Sequence, residues 1–284
     1  DVMKKVIVGI GEILWDMLPA GKSLGGAPAN FAYHSACLGA EAWAVSAIGD
    51  DPLGHEILDV LKTKRLHALL AMSSRPTGIV QVELNASGVP TYNIMENVAW
   101  DNIPFTPEME ALAARTDAVC FGSLVQRMNS RDSVRKFIEA TPTSALKVFD
   151  INLRQHYYCQ DVIEASLRMS DILKINDEEI RIVADLLSLD GDDEQVCRKL
   201  IDTYSLRLVI LTKGAQGSVV VTSDEVFSQP AGKVQVIDTV GAGDSFTAAF
   251  VHAYLQGLPI TQAQKLANDT AAIVCSHKGA MPKY

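Results

Sequence analysis

The sequence predicts an α/β protein: a doubly wound, mostly parallel sheet flanked by helices, with a second, smaller β-sheet beside it. Three observations predict this. From Asp117 onward, short apolar runs at residues 118–122, 146–151, 171–175 and 206–211 alternate with helical patterns, and buried strands that alternate with helices imply a parallel sheet. Polar residues gather where those runs end, at Asp150, Asn152 and Arg154 and again at Asn176, Asp177 and Glu179, which is where an open α/β sheet takes its ligand. Residues 78–98 break the rhythm, with extended runs at 79–84 and 91–97 around the polar turn Asn85 to Pro90. With residues 12–18 they make a small sheet outside the strand–helix alternation.

Composition narrows the function classes. The 284 residues are 48% hydrophobic and 21% charged, ordinary for a globule with a sizeable core, and residues 3–284 read as one domain. A net charge of −9 without a Lys/Arg cluster argues against a nucleic-acid surface. The cysteines, Cys37, Cys120, Cys159, Cys197 and Cys275, form no CxxC pair, so free thiols in a reducing cytoplasm are expected, and no zinc site. No apolar run has the length of a membrane span and no signal peptide precedes the first strand, so no membrane partner is expected. Asp1 and Val2, ahead of Met3, read as an expression remnant.

Taken in order, Val6–Ile10 is a short buried strand closed by Gly9-Ile10-Gly11. A dinucleotide fingerprint needs a third glycine where Leu14 stands and a helix directly after, so a Rossmann reading is weak. Residues 12–18 continue as an extended run with one conspicuous carboxylate, Asp16. Gly25-Gly26-Ala27-Pro28-Ala29-Asn30 opens a helix that Gly39 closes, with Pro28 near its first position. Asn30 can donate and accept, as a diol requires, or simply cap the helix. Residues 45–48 form a strand, and Gly49 to Gly54 turns into a helix over 53–64, with Asp50 shaping the loop. After strand 208–211, Thr212-Lys213-Gly214-Ala215-Gln216-Gly217 is a glycine-rich turn into strand 218–222. Residues 233–237 read as a β-type run leading into Asp238-Thr239-Val240-Gly241-Ala242-Gly243-Asp244. An amphipathic helix leaves that segment with Phe246, Ala249, Phe250, Ala253 and Tyr254 on one face and stops at Gly257. The last helix, about 261–276, carries Asn268.

The Gly241–Asp244 segment organises the rest. Small residues at a helix start let a ligand approach the backbone, and the unpaired N–H groups of a first helical turn attract an anion. A carboxylate beside an anion site repels its ligand, a cost that makes sense if the carboxylate does chemistry. Phosphoryl transfer fits, with Asp244 accepting the proton of an attacking hydroxyl, since the loose transition state releases that proton late. Alone, a GxGD segment would read better as a capped glycine turn.

The segment does not stand alone. Asp238 to Phe246, together with GGAPANFA at residues 25–32, resembles the two signatures of the ribokinase-like (PfkB) sugar kinase family, and the resemblance runs from Gly9 to Pro282. It implies a ribokinase-like fold in which strands from about 12–24 and 78–101 form a lid over the sugar, a lid that often pairs with that of a second subunit to give a homodimer. It implies ATP, Mg²⁺ and, in many members, a monovalent cation such as K⁺. Carried over, Asp16, Gly25, Gly26 and Asn30 grip the sugar, with Arg154 beside sugar or phosphate and Asn97, Trp100 and Asp101 as candidates for substrate selection. Gly241, Ala242, Gly243 and Asp244 do the catalysis. Asn176, Thr212, Lys213, Gly214, Gly217 and Asn268 serve the nucleotide, Glu179 holds magnesium through water, and Asp238 and Thr239 offer carbonyls to the monovalent cation. Asn176 and Glu179 read equally well as a capping Asn with an acidic first turn. Fructokinases place an arginine and a small-residue–Asp pair in the lid region, and this sequence does not. Fructose is nevertheless the first expectation. Other kinases of the family (for 2-keto-3-deoxygluconate, ribose or nucleosides) and a non-catalytic sugar sensor are the alternatives.

Overall fold

A computed structural model describes residues 3–284; Asp1 and Val2, read above as an expression remnant, lie outside the described residues. In chain order the elements are β1 (Val6–Ile10), β2 (Leu14–Leu18), β3 (Gly21–Gly25), α1 (Ala27–Cys37), β4 (Glu41–Gly49), α2 (Pro52–Lys62), β5 (His67–Ser73), β6 (Gly78–Leu84) and β7 (Pro90–Ile94). Then follow α3 (Pro107–Ala114), β8 (Ala118–Phe121), α4 (Ser130–Ala140), β9 (Leu146–Asp150), α5 (Gln160–Arg168), β10 (Ile172–Asn176), α6 (Asp177–Leu186) and α7 (Asp193–Tyr204). The chain closes with β11 (Leu208–Thr212), β12 (Ser218–Val221), β13 (Val226–Gln229), α8 (Ala242–Leu255) and α9 (Ile260–Cys275).

Nine strands form one sheet in the order β13-β12-β11-β10-β9-β8-β1-β4-β5. It is parallel from β5 to β11 and antiparallel only at the β12–β13 edge. Period-2 alternation divides its side chains. Leu146 and Val148 of β9, Ile172 of β10 and Leu208 and Ile210 of β11 pack on Phe246 and Phe250 of α8 and Ala263 and Ala267 of α9. Phe149, Leu173, Ile175, Val209 and Leu211 face Val134, Phe137, Ile163, Val183 and Leu200 of the helices α4 to α7 on the other side. The small sheet has the order β3-β2-β6-β7. This is the expected architecture, a mostly parallel sheet between two helical layers with a small second sheet.

Three local expectations are corrected. Residues 233–237 are not a strand. Ile237 and Asp238 donate their N–H groups to the Cys275 carbonyl at the end of α9 (2.8 and 3.1 Å), and Val236 and Ile237 are exposed. The alternating pattern is there, but β13 already occupies the sheet edge and no strand is beside these residues to pair with. The strands β5 and β13 carried no signal in the patterning. Asp51, not Asp50, shapes the loop before α2. Its carboxylate accepts from Gly54 N, Thr77 N and Thr77 Oγ1, and these bonds hold it below the usual carboxylate range against the opposing effect of burial. Asp50 instead meets His55 in solvent.

Candidate active site

The cleft lies where the parallel strands end, between the small sheet and the start of α8. Its phosphate-side wall is local chemistry. Gly241 caps α8 with φ 80°, a left-handed conformation that favours glycine, and a Cβ there would meet the Ala280 carbonyl at 2.9 Å. Ala242 N bonds back to Thr239 O at 3.2 Å. Among the described residues the N–H groups of Gly243 and Asp244 find no acceptor, the open donors of a helix N-terminus. Asp238 pins this turn from outside, accepting from Val240 N and Gly279 N.

The opposite wall is built by β2, β3 and α1. The Asp16 carboxylate stands against Gly25, where a Cβ would come within 2.8 Å of it. Gly26 has φ 111° and leaves no room for a Cβ beside the Glu12 carbonyl. Gly26 is therefore required by close approach to backbone, while Gly25 leaves space for the Asp16 carboxylate, and the turn brings Asn30 in the first turn of α1 across to α8. Asn30 Nδ2 donates to Asp244 Oδ2 at 2.9 Å, a bond between residues 214 apart in sequence. Asn30 is buried, and its Oδ1 has no partner among the described residues. An unpaired buried acceptor is costly, so this atom is set to receive a donor from a ligand.

Burial pushes Asp244 up from the ordinary carboxylate range, while the Asn30 bond and the charges of Lys174 and Arg154 pull it back. Asp16 is also raised by burial and eased by Arg154. Arg154 is exposed in the loop after β9 and bonds only its own neighbours, Leu153 O and Asn152 Oδ1. Among the described residues no carboxylate lies within ion-pair distance of it, yet its charge reaches Glu12, Asp16, Asp150 and Asp244.

Beneath these groups is a small cavity of ≈ 10 Å³ lined by Glu12, Pro28, Phe31, Asp150 and Asn152 among others, room for about one water. Glu12 Oε2 and Asp150 Oδ1 are buried there without hydrogen-bond partners among the described residues. Burial, partly opposed by a backbone N–H bond, raises Glu12 to about 7. Neither Glu12 nor the buried Lys174, which pairs with Asp150, was given a role by the motifs. The available signals were a carboxylate directly after Gly9-Ile10-Gly11 and a lysine inside the apolar run 172–176.

Other expected residues have structural partners. Asp101 is fully buried: its two oxygens accept from Arg127 Nε and Nη2 at 2.8 and 2.9 Å, and Oδ2 also takes Val98 N. It ties the exit of the small sheet to Arg127 and has both oxygens occupied within the protein. Trp100 is buried against Gly78 with the Arg127 guanidinium over its ring at 4.3 Å. Asn97, with φ 55°, ends the extended course of the lid and accepts from Asn102. Asn268 Nδ2 donates to Pro230 O at 3.1 Å, so its amide nitrogen holds the exit of β13. Asn176 accepts from Glu178 N and Glu179 N, while Glu179 accepts from Asn176 N and Leu153 N. That is a capping box whose second oxygen also anchors the loop after β9. Thr212 ends β11 beside Asn176. Gly214 and Gly217 adopt positive φ in the turn, and Lys213 N bonds Gly217 O.

Comparison with known proteins gives this geometry a setting. Residues 20–283 match the description "pfkB family carbohydrate kinase". The chain is 29% identical to the sugar kinase PH1459 of Pyrococcus horikoshii, over 97% of this chain and 91% of that protein. A 5-dehydro-2-deoxygluconokinase of Bacillus anthracis is 27% identical over 90% and 80%. Fructokinase-1 of Oryza sativa is 29% identical over 98% and 94%. The crystal structure of PH1459 superposes with a TM-score of 0.85 at 28% identity, covering 98% of this chain and 94% of that one, and its complex with ATP with a TM-score of 0.81, covering 97% and 94%.

Proposed function

Because the chain belongs to the pfkB family of carbohydrate kinases, we propose that it phosphorylates a primary hydroxyl of a sugar, fructose to fructose 6-phosphate first. It is an ATP-dependent phosphotransferase with an alcohol acceptor. The observation that carries the site assignment is the Asn30–Asp244 bond with Asn30 Oδ1 left open. It joins the sugar-side helix to the phosphate-side helix at the one carboxylate that faces both.

In this reading Asp16, Asn30 and the Gly25–Gly26 backbone hold the sugar diol, and the acceptor hydroxyl faces Asp244. The hydroxyl proton passes to Asp244 as its oxygen bonds to the γ-phosphorus, and the bond to the β-phosphate oxygen breaks with ADP leaving. The open N–H groups of Gly243 and Asp244 stabilise charge on the transferring group. Thr212, Lys213, Gly214 and Gly217 line the nucleotide side, with Asn176 near its phosphates. Among the described residues no three His, Cys, Asp or Glu side chains gather to hold a metal. Magnesium would come in with ATP and keep most of its waters; Glu179 would hold it through water, and the ion would supply charge neutralisation on the phosphates. The carbonyls of Asp238 and Thr239 are the proposed place for K⁺. Leu84, Val89 and Tyr92 expose an apolar strip on the lid, which supports a homodimer formed there, and the free thiols support a cytoplasmic setting.

A second reading has its own observation. Arg154 is an exposed guanidinium with no carboxylate partner, suited to bidentate recognition of a sugar acid, and one relative is named a 5-dehydro-2-deoxygluconokinase. ATP consumption across fructose, ribose, nucleosides, 2-keto-3-deoxygluconate and 5-dehydro-2-deoxygluconate decides between them. Turnover on the acids, lost in Arg154→Ala, overturns fructose; turnover on fructose, kept in that variant, supports it. Asp16→Ala should raise KM for the sugar far more than KM for ATP, and equal rises would remove Asp16 from the sugar site.

A further inference from the structure

One buried charge below the cleft has no part in the transfer scheme. Lys174 interrupts the apolar strand β10 (Ile172–Asn176) and is turned to the α8 side with Ile172. The sheet register sets it opposite Asp150 of β9. Its Nζ lies 3.5 Å from Asp150 Oδ1, and both side chains are almost wholly buried. Asp150 Oδ2 accepts from Thr247 Oγ1 at 3.3 Å, one turn into α8. The ammonium also sits directly under the phosphate-side turn, since a Cβ built on Gly243 would come 3.0 Å from Nζ. Gly243 thus leaves the space that lets the cation reach the helix start.

One ammonium therefore serves two carboxylates. Asp150 and Asp244 are both raised by burial and both pulled back by Lys174, and the charge on Asp244 raises Asp150 further. Arg154 acts on both from the exposed side, Glu12 and Cys120 face the same floor, and Glu179 adds a further negative charge felt by Lys174. A buried pair such as Lys174–Asp150 is poor evidence for stability. Its place beneath the reacting carboxylate needs another explanation.

We propose that Lys174 is a positioning residue of the transfer reaction: seated between Asp150 and the underside of Gly243, it supplies the fixed positive charge that keeps Asp244 ionised and the helix start attractive to phosphate. Asp150 meters that charge, taking the share that would otherwise fall wholly on Asp244. This rests on Asp244 being the proton acceptor.

The test is the acid limb of the kcat/KM–pH profile in a charge cycle. Lys174→Met should move the limb up by about one pH unit, roughly tenfold in kcat/KM at a pH on the limb. Asp150→Asn should move it down, because Asp244 then has the ammonium to itself, and the double variant should return toward the wild type. Lys174→Arg should stay near the wild-type limb. A residue that only fills space gives no such ordering, so single variants that shift the limb in the same direction, or not at all, overturn the inference. If Lys174→Met does not fold, Asp150→Asn against the double variant still decides the sign. Asp244→Asn separates the two readings. Residual turnover near wild type there overturns the base assignment itself, whereas a dead Asp244→Asn with an unmoved limb in the cycle overturns only the role of Lys174.

Discussion

The exit of the lid and the floor of the cleft both bury aspartates, and they use them in opposite ways. At the exit Asp101 has both oxygens taken by Arg127 and a third bond from Val98 N. Above the floor the half-buried Asp244 has, among the described residues, a single side-chain hydrogen-bond partner, Asn30. Beside it Asn30 Oδ1 and Glu12 Oε2 have none among the described residues, and Asp150 Oδ1 has only the Lys174 ammonium at 3.5 Å. Each unmade buried hydrogen bond costs about 1–3 kcal/mol, a standing cost that a donor at Asn30 Oδ1, or a water in the small cavity beside Glu12, can offset. At the exit Arg127 Nη1 is also buried without a partner among the described residues, so the contrast lies in the carboxylates: both Asp101 oxygens are taken. The difference is between a carboxylate whose bonds are filled from within the protein and one with room left for another partner.

The sharpest way to break this contrast is to remove the charge at each place. Asp244→Asn keeps the shape and the bonding range of the side chain but cannot accept the proton. Turnover should fall by roughly 10²–10⁴-fold, with KM for ATP and the thermal midpoint little changed. Steady-state kinetics with a melting curve on the same sample checks this, and an Asn variant close to wild type in kcat would place the base elsewhere.

Asp101→Asn should do the reverse. Arg127 would keep a buried charge against Trp100 and Tyr157, 4.3 and 4.5 Å from their ring centres, without its counter-ion. Breaking one side of a buried pair costs on the order of 3–5 kcal/mol, read as a lowered urea midpoint at unchanged slope. The folded fraction should retain near wild-type kcat. A folded, stable Asp101→Asn with lost turnover would return Asp101 to the substrate contacts and erase the contrast.

What the sequence disclosed follows the same line. Strands β8 to β11 were legible because burial on both faces writes itself into a local apolar run, and the start of α8 because glycines before a helix are a local requirement. Residues 233–237 misled because a strand also needs a neighbour, and sequence does not say which sheet edge is already filled. The partners of Asp101 and Asn268 were hidden for a related reason: which group a polar side chain meets is settled by elements far away, Arg127 for one and Pro230 for the other. Glu12 and Lys174 carry no role in the sequence because each looks ordinary until the fold sets Glu12 with Asp150 around a space that admits one water and Lys174 against Asp150.

Glu12 supplies the smallest of the expected effects and refines the contrast by pH. Its carboxyl is raised from an ordinary 4.5 to about 7, chiefly by burial, so the folded protein holds that proton more tightly than the unfolded chain does. Between those two values the unfolded state has already released the proton while the folded state keeps it, and stability therefore falls as pH rises across the window. Above about 7 the loss is complete and flat, at most about 3 kcal/mol for this group. Glu12→Gln cannot ionise and should remove that slope. Its unfolding free energy relative to wild type should grow from pH 4.5 to 7 and then level off, measured by urea denaturation at several pH values in one buffer series. Taking the difference from wild type cancels the parallel contributions of Asp16, Asp150 and Asp244, which titrate in the same sense. A difference that does not vary with pH would mean that Glu12 is ionised and paired in the folded state, and the floor would then be as saturated as the lid exit.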